Sequence, residues 1–146
     1  LTLKGQSNVD GVTFSPDGKI FASWSYDGTI KLWDTQNGRS LRTLVVDEDG
    51  PISGTFSPDG KTLASVNIED GIIGLWNPVT GKLNGTITAD VKSVAFSADG
   101  QTLAGGSFDG IQLWDPNTGV LIKNLDSKRS GSSRLVAFSP DGMMLA

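Results

Sequence analysis

Phe14-Ser15-Pro16-Asp17-Gly18 opens a stretch that continues through Ile20-Phe21-Ala22-Ser23-Trp24-Ser25 and Tyr26-Asp27-Gly28 to Ile30-Lys31-Leu32-Trp33-Asp34. Most of it returns in residues 56–77 and again in 96–115, and its opening returns a fourth time in 138–142. Phe14, Phe56, Phe96 and Phe138 are 42, 40 and 42 residues apart, and Trp33, Trp76 and Trp114 are 43 and 38 apart. A third marker follows in the same order, as Asn37-Gly38, Thr80-Gly81 and Thr118-Gly119. Ordered markers at one period signify a repeat architecture in which each unit is one supersecondary element.

Each unit reads as four short strands. In the first, strand a covers 9–15 and ends at Pro-Asp-Gly, strand b covers 19–25 and ends at Asp27-Gly28, strand c covers 29–34, and strand d covers 40–46. Ile30 and Leu32 alternate with Lys31 and Trp33, the period of a strand with two unlike faces. Asp-Gly pairs favour tight hairpins, because glycine accepts positive φ and aspartate bonds its own backbone. The expected organisation is an outer strand of a preceding unit in 1–5, then units over 9–46, 51–88 and 91–125, and the start of a fourth over 133–146. In unit three the step from Asp109 to Trp114 is one residue shorter than its equivalents. Counting back from the tryptophan keeps Ile111 and Leu113 in register with Ile30 and Leu32, so the loss falls in the turn near Gly110.

Composition narrows the chemistry. The 146 residues contain neither cysteine nor histidine, which excludes disulfides, thiolate catalysis and the commonest general base and metal ligand. The formal charge is −4, and no basic stripe recommends nucleic acid. The apolar runs are too short to span a membrane. The first residues lack the pattern of a leader peptide, and the absence of an initial methionine suggests a piece of a longer parent.

Leu63-Ala64-Ser65, Leu103-Ala104-Gly105-Gly106-Ser107, the segment from Asp27 to Asp34 and the Phe-Ser-Pro-Asp-Gly turns together resemble the WD40-repeat family. The spelling is similar to that of bacterial, especially cyanobacterial, members. The resemblance covers the whole chain and implies an all-β propeller, here about three complete four-stranded antiparallel blades with parts of flanking ones. It implies a cytoplasmic, non-catalytic scaffold that presents loops to a protein or peptide, with no cofactor and no metal. Asp27, Asp70, Asp109, Trp33, Trp76 and Trp114 fall at structural repeat positions. The family's glycine-histidine pair before strand a is missing: Gly5-Gln6, residues 47–50 and Thr88-Ala89-Asp90 stand in its place. That histidine usually bridges a strand b hydroxyl, the b–c aspartate and the strand c tryptophan. Without it, each aspartate is expected to take donors from its own turn or the next loop.

Closed propellers have about four to eight blades. The chain is therefore expected to be either part of a longer propeller or a module whose copies complete a ring. Partners are expected at the face bearing the b–c and d–a loops. Tyr26, Glu69 and Phe108 precede the three b–c aspartates and are candidate contacts, the two aromatics alternatively packing on adjacent loops. Trp24 does not recur and is either a local filler or part of a partner site. Lys128, Arg129 and Arg134 make the third d–a loop locally basic, suited to an acidic peptide or a phosphate if it is more than a solvated loop. The acidic residues Asp47, Glu48 and Asp49 read first as solvent-facing and second as a cation attractor. A single hydrolase or lyase site is the remote alternative, because the aspartates recur as a fold device does.

Overall fold

The a–b turns establish the repeat geometry. In the first, the Ser15 hydroxyl donates to Asp17 Oδ1 (2.7 Å), the same carboxylate oxygen accepts the Lys19 N–H (3.1 Å), and Ser15 Oγ accepts the Ile20 N–H (2.9 Å). Gly18 supplies the left-handed residue at φ 68°. Ser57 with Asp59, Ser97 with Asp99 and Ser139 with Asp141 build the same turn three more times. Aspartate or asparagine also closes the c–d turns, where Asp34, Asn77 and Asp115 accept backbone N–H groups two residues on.

The computed structural model describes residues 6, 8–46, 53–67, 69–126 and 135–146. Among them, the turns connect three antiparallel four-stranded sheets, each in sequential order. Blade one is β1 (Val9–Phe14), β2 (Ile20–Ser25), β3 (Thr29–Asp34) and β4 (Ser40–Val45). Blade two is β5 (Ser53–Phe56), β6 (Leu63–Asn67), β7 (Ile72–Trp76) and β8 (Leu83–Thr88). Blade three is β9 (Ser93–Phe96), β10 (Leu103–Gly106), β11 (Gly110–Trp114) and β12 (Leu121–Asp126). Part of a fourth unit follows, with Phe138 bridged antiparallel to Leu145. The first strand expected in residues 1–5 lies outside the described residues.

Registers repeat from blade to blade. Ala22 pairs with Leu32, Ala64 with Leu75 and Ala104 with Leu113. Ile111 pairs with Gly106 as Ile30 pairs with Trp24, so the short third turn leaves the strand faces unswitched. The missing residue is absorbed at Gly110, where β11 begins. There Ser107 donates both its N–H and its hydroxyl to the Gly110 carbonyl.

The core lies in the seams between blades. Ala22, Trp24, Ile30, Leu32 and Leu44 of blade one meet Phe56, Leu63 and Trp76 of blade two. Ala64, Val66, Ile73, Leu75 and Ile87 of blade two meet Val91, Val94, Leu103 and Trp114 of blade three. One face of each blade therefore packs on the opposite face of the next. β1 adjoins β5 and β5 adjoins β9, as inner strands of successive blades do. The a–b turns also stack: Pro16 lies under Gly60, Pro58 under Gly100 and Ala98 under Gly142. Among the described residues the result is an arc that does not close. Phe14, the counterpart of buried Phe56, is 61% exposed, and forms an aromatic column with Phe21 and Trp33 at centroid spacings of 5.6 and 6.0 Å.

Candidate functional site: the loop face and its inter-blade seams

The b–c turns sit at one edge of the arc, opposite the Ser-Pro-Asp-Gly turns. Each displays the side chain preceding its aspartate. Tyr26 is 60% exposed, Phe108 47% exposed, and Glu69 is exposed. Trp24 goes the other way: it is 7% exposed, inside the seam between blades one and two. Its ring lies over Gly11 of its own blade and against Gly54 of the next, and a Cβ built on Gly11 would fall 2.4 Å from it. Of the two roles open to Trp24, this geometry is that of a filler, reached only through the seam. Lys128, Arg129 and Arg134, and the acidic residues 47–49, lie outside the described residues.

What holds each turn differs among the blades. In blade one the Trp33 indole N–H donates to Ser23 Oγ (2.9 Å), and Ser23 Oγ donates to Gln6 Oε1. Gln6 Nε2 donates to Thr29 Oγ1 and to the Thr29 carbonyl (3.1 Å each), and the Thr29 hydroxyl donates to Asp27. The Thr29 hydroxyl is the main cause of an Asp27 carboxyl held below the usual range. Burial opposes it, and the Thr29 N–H (3.0 Å) adds to it. A carboxamide thus spans the gap that an imidazole spans in the usual repeat, with Thr29 as the extra link. Asp27 thus takes its donors from its own turn, as expected, and Gln6 adds a link to that turn through Thr29. The signal was present in the sequence, since Gln6 stands at the histidine position and is long enough to reach two hydroxyls.

In blade two the Trp76 indole N–H still donates to Ser65 Oγ (2.9 Å), while Asp70 accepts from the Asn67 amide (2.8 Å). In blade three Gly105 replaces the serine. The Trp114 ring and Val91 fill the space above it, where a Cβ would stand 2.7–2.8 Å from both. Asp109 uses its backbone N–H on Ser107 Oγ (3.2 Å), and its carboxylate accepts no hydrogen bond among the described residues.

Clefts lie along both seams on this side of the arc. Between blades one and two is a cleft of about 230 Å³, largely apolar, walled by Val45, Val46, Ile72, Trp76 and Leu83. The repeat-equivalent cleft between blades two and three holds about 440 Å³ and is polar, with Thr88, Asp90, Ser107, Asp109, Gln112 and Asn124 along it. Gln112 donates to Asn124 Oδ1 (3.0 Å), and Lys92 pairs with Asp90 (2.9 Å). Among the described residues, no group of three His, Cys, Asp or Glu side chains is placed to hold a metal ion. None of the helices or strands described is a helix long and apolar enough to cross a membrane.

Comparisons with known proteins agree with this geometry. The family model for the WD domain, G-beta repeat, matches residues 1–34 and 79–115. The chain is 34% identical to WD repeat-containing protein SL1-17 of Schistosoma mansoni, over 94% of this chain and 46% of that protein. It is 30% identical to pre-mRNA-processing factor 19 homolog 2 of Arabidopsis thaliana, over 99% of this chain and 28% of that protein. It therefore spans less than half the length of these relatives. Among solved structures, a chain of the Kuenenia stuttgartiensis hydrazine synthase superposes with a TM-score of 0.86, over 99% of this chain and 42% of its own. At 20% identity that likeness concerns the fold alone. Repeat spelling, blade geometry and relatives converge, and the chain belongs to the WD40-repeat family, as an unclosed arc of its blades.

Proposed function

We propose that this chain is a non-catalytic scaffold that docks a protein or peptide on the edge formed by its b–c turns, with the cytoplasm as its expected setting. The observation that carries the reading is the contrast among aromatics. Trp24, Trp33, Trp76 and Trp114 are buried in the blades, whereas Tyr26 and Phe108 stand out from turns that the blades hold in place. Large aromatics on a rigid frame supply contact area at little cost in conformational entropy, and they are enriched at binding hot spots. The test is selection from a random-peptide phage library against the 146-residue chain. The expected result is an enriched motif whose binding falls at least tenfold in the Tyr26→Ala, Phe108→Ala double variant and persists in Pro58→Ala on the opposite edge. Enrichment indifferent to Tyr26 and Phe108 contradicts the reading.

A second reading has its own observation. Phe14 and Phe21 form an apolar face whose counterparts in blades two and three are covered by a neighbouring blade. A further blade, including one from a second copy, would fit that face. Light scattering over a dilution series distinguishes the two: a dimer persisting at low concentration favours copies completing one another, and the 15.3 kDa monomer excludes it.

A further inference from the structure

At their outer rim, beside the c–d turns, the two seams differ by one side chain. Arg42 on β4 pairs with Leu32, and the same pairing puts Gly85 on β8 opposite Leu75 and Lys123 on β12 opposite Leu113. Strand alternation turns this position toward the following blade, alongside Leu44 in blade one and Ile87 in blade two. Arg42 fills the place. Its stem crosses the c–d turn of blade two, where a Cβ built on Gly81 would fall 2.6 Å from Arg42 Cδ, and its guanidinium donates to the Val79 carbonyl (2.7 Å).

Blade two has no such arm. A Cβ built on Gly85 would meet nothing within 4 Å, and one built on Gly119, the counterpart of Gly81, would meet nothing nearer than Ile87 at 3.6 Å. The vacancy is a cleft of about 340 Å³ bounded by Thr62, Leu75, Gly85, Asn117, Thr118 and Gly119. The Asn117 carbonyl, the counterpart of Val79's, accepts no hydrogen bond among the described residues. An adjoining groove shares Thr62 and Asn117 and adds the carboxylates of Asp59, paired with Lys61, and of Asp99, which has no ion pair among the described residues. Leu75 and the bare Gly119 backbone suit a methylene stem, and the free carbonyl beside acidic surroundings suits a planar cationic head.

We propose that the outer seam between blades two and three binds an arginine side chain of a partner peptide, in the way that Arg42 fills the seam between blades one and two. The stem crosses Gly119, and the guanidinium donates to the Asn117 carbonyl. This rests on the reading of the chain as a peptide-binding frame, but its site, beside the c–d turns, is at the edge away from Tyr26 and Phe108. Phage-selected binding at the aromatics can therefore stand while this proposal fails.

The probe is the blocked pentapeptide acetyl-Ser-Gly-Arg-Gly-Ser-amide, titrated into the isotopically labelled chain and followed by NMR. The control peptide carries norleucine in place of arginine, which keeps a stem and removes the head. The expected result is saturable shifts of the Gly85 and Gly119 backbone amides with the arginine peptide, and at least fivefold weaker binding of the norleucine peptide. Gly85 is not at positive φ, so Gly85→Arg can give blade two an arm of its own and should abolish the shifts at Gly119. Arg42→Gly should empty the first seam and add shifts at Val79 and Gly81. Equal binding of the two peptides, unchanged binding to Gly85→Arg, or no added shifts in Arg42→Gly overturns the proposal.

Discussion

Gln6 joins two side chains, Ser23 and Thr29, that stand on different strands of blade one. Removing its amide strands the Ser23 hydroxyl and the Thr29–Asp27 pair at a half-buried site. Gln6→Ala is therefore expected to cost about 1–2 kcal/mol in urea unfolding. Gln6→His should recover most of that, since an imidazole can also face two hydroxyls. No loss in Gln6→Ala would show that the bridge itself contributes nothing. Trp24 and Gly11 make a second residue-scale case. Gly11→Ala drives a methyl group into the indole and is expected to cost about 1–3 kcal/mol. Placing valine at Trp24, as Val66 stands in blade two, should return much of that loss in a double-mutant cycle. Additive losses would contradict the packing. The role of Gln6 could have been read from its position before strand a. That of Trp24 could not, because the glycine that admits it from the next blade, Gly54, is thirty residues away and carries no side chain to signal the contact.

At the scale of the element, the a–b turn is a Ser–Asp device built four times. The Asp17, Asp59, Asp99 and Asp141 carboxyls are all held below their ordinary value of 3.8, first by the serine hydroxyl two residues back and then by the N–H two residues on. The unfolded chain therefore takes up protons at these sites before the folded chain does. Their contribution to stability is complete above about pH 3.8 and fades as pH falls through the lower folded values. Asp59→Asn keeps an oxygen acceptor but removes the titration. Its urea midpoint should fall less steeply than wild type below pH 4, and parallel acid limbs would contradict this origin. These turns and the strands between them were legible in the sequence, because Pro-Asp-Gly and period-two alternation are local signals. The one-residue deletion in unit three was legible for the same reason, since a slip inside β11 would have turned Ile111 and Leu113 to the wrong face. The cleft beside it was not. It arises from what Gly105 and Gly110 lack and from side chains of two blades, a coincidence that only packing reveals.

At the scale of the whole arc, the seams hold the fold, and among the described residues no blade packs on the outer face of blade one. The repeat period made the propeller type evident, but the environment of each repeated residue depends on which neighbour covers it. Phe14 and Phe56 are the same residue at the same repeat position, one 61% and the other 6% exposed. The direct test of an unclosed arc is the unfolding free energy of Phe14→Ala and Phe56→Ala at low protein concentration. Truncating a buried phenylalanine costs about 3–5 kcal/mol, and truncating an exposed one far less. The expected result is a loss in that range for Phe56→Ala and under about 1 kcal/mol for Phe14→Ala. Equal, large losses at both positions would mean that another blade covers Phe14 in solution, and would contradict the open arc.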